Sequence, residues 1–151
     1  MPKKINDAII AVVEKIAGSF DIKIDAILAR HEFNLTAIEK IIFFKRIKGI
    51  IAVESRGNIN VKNGSAGEIG IMQIKPVTAA SVAKIYMIPS YDLKAVDDNL
   101  LIGSLLLYDI YIKSDHDIDL ATQRYNQGWV LKTNLKSLTY LSMIKEYENY
   151  A

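Results

Sequence analysis

One stretch constrains this chain more than any other. Thr36 and Glu39 stand at capping-box spacing and open a helix over about residues 37–54. That helix is apolar most of the way round, with Ile38, Ile41, Ile42, Phe43, Phe44, Ile47, Ile50, Ile51 and Val53. Such a helix is expected in the middle of a domain. Phe43, Ile47, Ile50 and Glu54 are spaced four, three and four apart and so share one face. A carboxyl group therefore ends an apolar ridge, where desolvation favours the neutral acid and raises its pKa. The polar loop that follows carries Asn58, Asn60, Asn63, Gly64 and Ser65. Taken alone, a carboxylate at a helix end more often closes a salt bridge. Facing such a loop, it is also well placed to deliver a proton.

The rest of the chain reads as scaffold around that helix. With 151 residues, half of them hydrophobic, it has ample core for one domain. Residues 5–17 are expected to form an amphipathic helix ending near Gly18. Asp21 would cap a second one reaching about His31, with Ile22, Ile24, Ile27 and Leu28 inward. Residues 56–70 lack helical periodicity and form a loop. Within it Ile59 and Val61 alternate with polar residues, compatible with a short strand, and Ile69–Ile74 is compatible with another. Pro76 suits the first turn of a helix to about Met87, followed by a turn over 89–92. Asp97 or Asp98 opens an apolar helix to about Ile112, with Leu100, Leu101, Leu105, Leu106 and Ile110 inward. Gly103 inside it marks a close contact with another helix. A short helix over 118–126 stops at Gly128, and Asn134 or Ser137 starts the last one. The expected fold is mainly α, with at most a small β region around 57–74.

Composition narrows the function. There is no cysteine, which excludes a disulfide scaffold and thiolate metal sites. His31 and His116 lie far apart without helical ligand spacing and read as surface residues, so neither a metal nor a cofactor is expected. The net charge of +2 is mild and the Lys and Arg residues are scattered, which gives no basis for a nucleic-acid partner. Asn6, Asp7, Glu14 and Lys15 interrupt the apolar run Ala8–Val13, so it is no secretory signal, and no run is long enough to span a membrane.

Several motifs now fall in register. Glu54-Ser55, followed by Gly67-x-x-Gly70-Ile-Met-Gln73-Ile-x-Pro76-x-Thr-Ala79, resembles the first two motifs of the soluble lytic transglycosylases. These are lysozyme-fold enzymes that cut the glycan of bacterial peptidoglycan. Asn99-x-x-x-Gly103-x-x-x-Leu107 is similar to the family's next helix, and Tyr125-Asn126-Gln127-Gly128 to its Tyr-Asn-x-Gly motif. Tyr140 falls where the family has a second active-site tyrosine. The matches cover about residues 38–147. The loop after Glu54 runs one residue longer than is usual, so either Gly64 or Ser65 matches the family's loop serine. Arg124, Trp129 and Lys136 also depart from the family pattern.

The expected organisation is a single lysozyme-like domain over 1–151, with N-terminal helices over 1–35, to which the resemblance assigns nothing, and a transglycosylase core over 36–151. The resemblance implies Glu54 as the catalytic acid, with Ser65, Met72, Gln73, Tyr125, Asn126 and Tyr140 binding the glycan. The expected reaction is cleavage of the MurNAc–GlcNAc β-1,4 bond with formation of a 1,6-anhydro sugar. One alternative is a hydrolytic muramidase, resembling goose-type lysozymes, in which Glu68, Asp97 or Asp98 supplies a second carboxylate. Another, of a different class, is a glycan-binding structural protein without activity. The expected partner is peptidoglycan alone, met by a monomer without stable membrane insertion. Without an export signal, the expected setting is phage lysis or a virion-associated enzyme acting on the periplasmic wall, with a trimmed bacterial periplasmic enzyme as the alternative.

Overall fold

The computed structural model describes residues 6–30, 32–128 and 133–150. The expectations for His31 and Trp129 lie outside these residues. In chain order the helices are α1 (Asp7–Leu28), α2 (Ala37–Ser55), α3 (Pro76–Ile85), α4 (Val96–Lys113), α5 (Ile118–Gln127) and α6 (Leu135–Tyr150). Among the described residues the only β pairing is one antiparallel bridge between Ile69 and Ile74. The fold is therefore mainly α, as expected. The Ile59–Val61 alternation forms no strand, and Ile59 is exposed.

Helix α1 corrects the expectation of two N-terminal helices. Asn6 caps it by accepting from the Ile9 amide at 3.0 Å, and it runs through Gly18 without a break. The reason is that the buried positions on either side, Ile9 and Val13 before it and Phe20, Ile24, Ile27 and Leu28 after it, keep one helical phase, which a break at Gly18 would lose. Asp21 caps nothing; its carboxylate lies 3.2 Å from the buried Lys48 ammonium of α2. Lys48 also lies 3.9 Å from Glu14 and sits over the Phe44 ring.

Helix α2 starts with the expected capping box. Thr36 Oγ1 accepts from the Glu39 amide and Glu39 Oε1 accepts from the Thr36 amide, both at 3.1 Å. The C-terminal half is buried all round: Ile47, Ile50, Ile51 and Ala52 have no exposed surface. The N-terminal half is not. Ile38 is 72% exposed, with Ile41 and Ile42 also open, and of this half only Phe43 is fully enclosed, against the rings of Tyr108 and Tyr111. Where α2 crosses α6, Gly49 permits the approach: a Cβ there would lie 2.7 Å from Ile144 Cγ2.

Helix α4 opens at Val96 with Ala95 as its cap residue, so Asp97 and Asp98 lie in its first turn and do not cap it. There their charge is favourable to the helix dipole. Gly103 does mark a close approach, but its neighbour is a loop residue: a Cβ there would lie 2.4 Å from Met72 Sδ. Asp117 caps α5, and Gly128 ends it with φ 93°. Asn134 and Ser137 cap the start of α6 reciprocally, at 2.9 and 3.1 Å. No helix among the described residues is long and apolar enough to cross a membrane.

Candidate active site

The site is built where α2 stops. Ser55 is buried, and its hydroxyl donates to the Ile51 carbonyl and accepts from the Gly57 amide. Arg56 and Gly57 both take positive φ, 56° and 74°, so the chain turns away sharply one residue after that serine. Glu54 is left on the last turn, partly covered, at the end of the buried ridge of Phe43, Ile47 and Ile50. Burial first, and then the charge of Glu68, push its pKa from 4.5 up to about 8. The carboxyl is thus protonated at neutral pH and available as a proton donor.

The loop brings its own constraints. Ile69 and Ile74 exchange backbone hydrogen bonds at 2.9 and 3.0 Å, which closes a tight turn. Buried Asn99 holds that turn from α4: its side chain accepts from the Met72 amide and donates to the carbonyls of Ile69 and Leu93. Met72 is fully buried against Gly103. This corrects its expected role as a glycan ligand, because a side chain without accessible surface supports the site from below. Gln73 adopts φ 49°, is partly exposed, and donates from Nε2 to the Gly70 carbonyl at 2.9 Å. Gly64 lies against Glu68 and Gln73; a Cβ there would stand 1.8 Å from Glu68 Oε2 and 2.9 Å from Gln73 Oε1. Ser65, the next residue, is exposed.

Two tyrosines close the other side. Tyr125 on α5 donates its hydroxyl to the Met72 carbonyl at 2.8 Å and so pins α5 to the loop. Tyr140 on α6 is 2% exposed, and its buried hydroxyl has no hydrogen-bond partner among the described residues. Burial and then the charge of Glu54 push both phenols well above their ordinary pKa, which places Glu54, Tyr125 and Tyr140 within electrostatic reach of one another. Asn126 is exposed at the end of α5, and its Oδ1 accepts from Gln127 Nε2.

Not every candidate converges. Asp97 is paired with Lys23 of α1, and Asp98 accepts from the Asp92 amide at 2.8 Å. Of the three carboxylates considered beside Glu54, only Glu68 acts on it. Among the described residues no group of three His, Asp or Glu side chains converges as a metal site would require. His116 is exposed, 3.3 Å from Glu39. Arg46, which the sequence reading passed over, is almost fully buried and bonded to α5 and α6. Its signal was present: with Ile50 and Glu54 it repeats at four-residue spacing, a charge on a buried stripe.

A helical domain in which a buried ridge ends in a carboxyl with a raised pKa, within electrostatic reach of buried Tyr140 and half-buried Tyr125 and beside a clamped turn, defines a class, the lysozyme-like fold. More narrowly, the chain belongs to the Transglycosylase SLT domain family, which matches residues 41–147. Its fold is similar to that of an inactive glutamate-to-glutamine mutant of the lytic transglycosylase Slt from Pseudomonas aeruginosa, with a TM-score of 0.62 and 20% identity. That match covers 70% of this chain and 20% of the other, so the chain spans about a fifth of that enzyme's length. No curated protein sequence matches it.

Proposed function

We propose that this chain is a peptidoglycan lytic transglycosylase that cleaves the MurNAc–GlcNAc β-1,4 bond with Glu54 as its general acid and base. The observation that carries the reading is the place of the Glu54 carboxyl at the end of the buried ridge of Phe43, Ile47 and Ile50, where burial pushes its pKa up to about 8. In the first step Glu54 gives its proton to the glycosidic oxygen as the bond to the muramyl C1 breaks. The anionic Glu54 then takes the proton of the muramyl C6 hydroxyl while that oxygen attacks C1, closing the 1,6-anhydro ring. The substrate's own N-acetyl group can share the charge at C1. No second carboxylate and no external water are needed. Tyr125 and Tyr140 flank the acid, and Gln73, Ser65 and Asn126 offer polar groups to the sugar from the two rims. The peptidoglycan substrate and its periplasmic setting, reached in phage lysis or from a virion, belong to the same proposal.

One observation favours a second reading. Glu68 acts electrostatically on Glu54, as the second carboxylate of a hydrolase would. Digestion of purified peptidoglycan in heavy-oxygen water separates the two. The transglycosylase yields unlabelled 1,6-anhydro muropeptides by mass spectrometry. Labelled reducing ends without anhydro species would make Glu68 the water-positioning base and overturn the first reading. Absence of both products, with the glycan still bound, would leave a binding protein.

A further inference from the structure

Arg46 lies eight residues before Glu54 on the same face of α2, about 12 Å along the axis. It is 4% exposed. Its Nε donates to Glu148 of α6 at 2.6 Å. One terminal nitrogen donates to Asp119 at 3.0 Å and to Thr122 Oγ1 at 2.8 Å, both on α5, and reaches the Ile118 carbonyl at 3.5 Å. Each helix that Arg46 binds carries a site group further along. On α5, Tyr125 follows Thr122 by three residues; on α6, Tyr140 precedes Glu148 by eight, with Ile144 between. The layer between anchor and site is tightly packed, since Gly49 abuts Ile144 and Ile50, Ala121 and Ile144 are fully buried.

We infer that Arg46 is a positioning residue: one buried guanidinium fixes the relative register of the three helices that present Glu54, Tyr125 and Tyr140. The inference rests on the transglycosylase reading for its catalytic consequence, though not for its geometry. A planar fork that binds two carboxylates and a hydroxyl on two helices sets direction as well as distance, which an apolar contact cannot. Stability alone does not call for it, because buried ion pairs replaced by apolar side chains of similar volume are often no less stable. Its charge also reaches the site end, where it partly offsets the rise of the Tyr140 pKa.

The test is the double variant Arg46→Met with Glu148→Leu. It leaves no buried charge stranded, because Asp119 keeps Lys145 at 2.6 Å and Thr122 keeps the Ile118 carbonyl at 2.7 Å. On soluble glycan strands, kcat per folded molecule is expected to fall about tenfold to a hundredfold through misplacement, with KM within about twofold. In parallel, carbon-13 NMR titration of Glu54 should show its pKa falling towards the ordinary carboxylate range as the helices loosen and water enters. Unchanged kcat together with an unchanged Glu54 titration would overturn the inference, whatever happens to the melting temperature. If the double variant does not fold, Arg46→Lys, which keeps the charge and loses the fork, is judged by the same two readouts. Glu54→Gln run alongside keeps the two ideas apart. A lytic Glu54→Gln sinks the transglycosylase reading, while the NMR titration still decides the positioning role.

Discussion

The two ends of α2 hold the same side chain in opposite states. At the N-terminus Glu39 accepts from the Tyr111 hydroxyl, from the Thr36 amide and from His116, and its pKa is held down at about 2. At the C-terminus Glu54 accepts from no such donor among the described residues; burial first, and then the charge of Glu68, push its pKa up to about 8. The helix dipole acts in the same directions, favouring an anion at the first turn and opposing one at the last. One helix thus carries a structural anion and a neutral acid. The difference lies in donors and burial, not in residue type.

The largest expected effect tests the acid end. Glu54→Gln should fold normally and lose about 10²–10⁴-fold in lytic rate, since the amide cannot donate an acidic proton. Glu39→Gln should keep its rate within about twofold, because surface and cap changes act mainly on stability. Turbidity loss of bare cell walls measures both. A lytic Glu54→Gln, or a dead but folded Glu39→Gln, would break the contrast.

The pH dependence sharpens it. Lysis should decline as pH rises through about 8, where the free acid loses its proton. Stability follows the same sign. Glu54 is raised above its ordinary value of 4.5, so the folded state binds the extra proton and stability is lost as pH rises from 4.5 through about 8. Glu39 is lowered, so its contribution is present above 4.5 and lost as pH falls through about 2. Thermal melts across both windows should show Glu54→Gln without the alkaline decline and Glu39→Gln with a weaker acid decline. Each pKa unit is worth about 1.4 kcal/mol.

The tyrosines give a smaller contrast within the site. Tyr125→Phe removes the donor to the buried Met72 carbonyl and should cost about 1–3 kcal/mol of stability. Tyr140→Phe removes a buried hydroxyl that has no partner among the described residues and should leave stability unchanged or improved. Both should lower turnover per folded molecule. Normal turnover in folded Tyr140→Phe would assign that ring to the core alone. The smallest expected effect lies at the far end: Thr36→Ala should cost about 1 kcal/mol through the lost cap and leave the lytic rate untouched.

Local rules carried much of this. The Thr36–Glu39 capping box, the Pro76 and Gly128 boundaries and the stripe ending in Glu54 were legible because each depends on residues within a few positions of one another. The motif spacing from Glu54 to Tyr140 was enough to point to the family. Three things depended on tertiary structure. Gly18 looked like a stop, but the buried stripe from Val13 to Phe20 carries α1 through it, and burial of a long face outweighs the cost of one glycine. Ile38, Ile41 and Ile42 looked like core, but at that end of α2 Tyr108 and Tyr111 cover only the Phe43 face, and these three isoleucines stay exposed. Arg46 was one of the scattered basic residues. Only the arrival of Glu148 and Asp119, 102 and 73 residues further on, makes it the hub of three helices. The sequence by itself determined that the chain is mainly helical and which carboxyl ends the ridge, since those follow from neighbours along the chain. Which charges are buried, and so which acid keeps its proton, was decided by groups brought together from distant parts of the chain, because desolvation and charge pairing depend on distance in space.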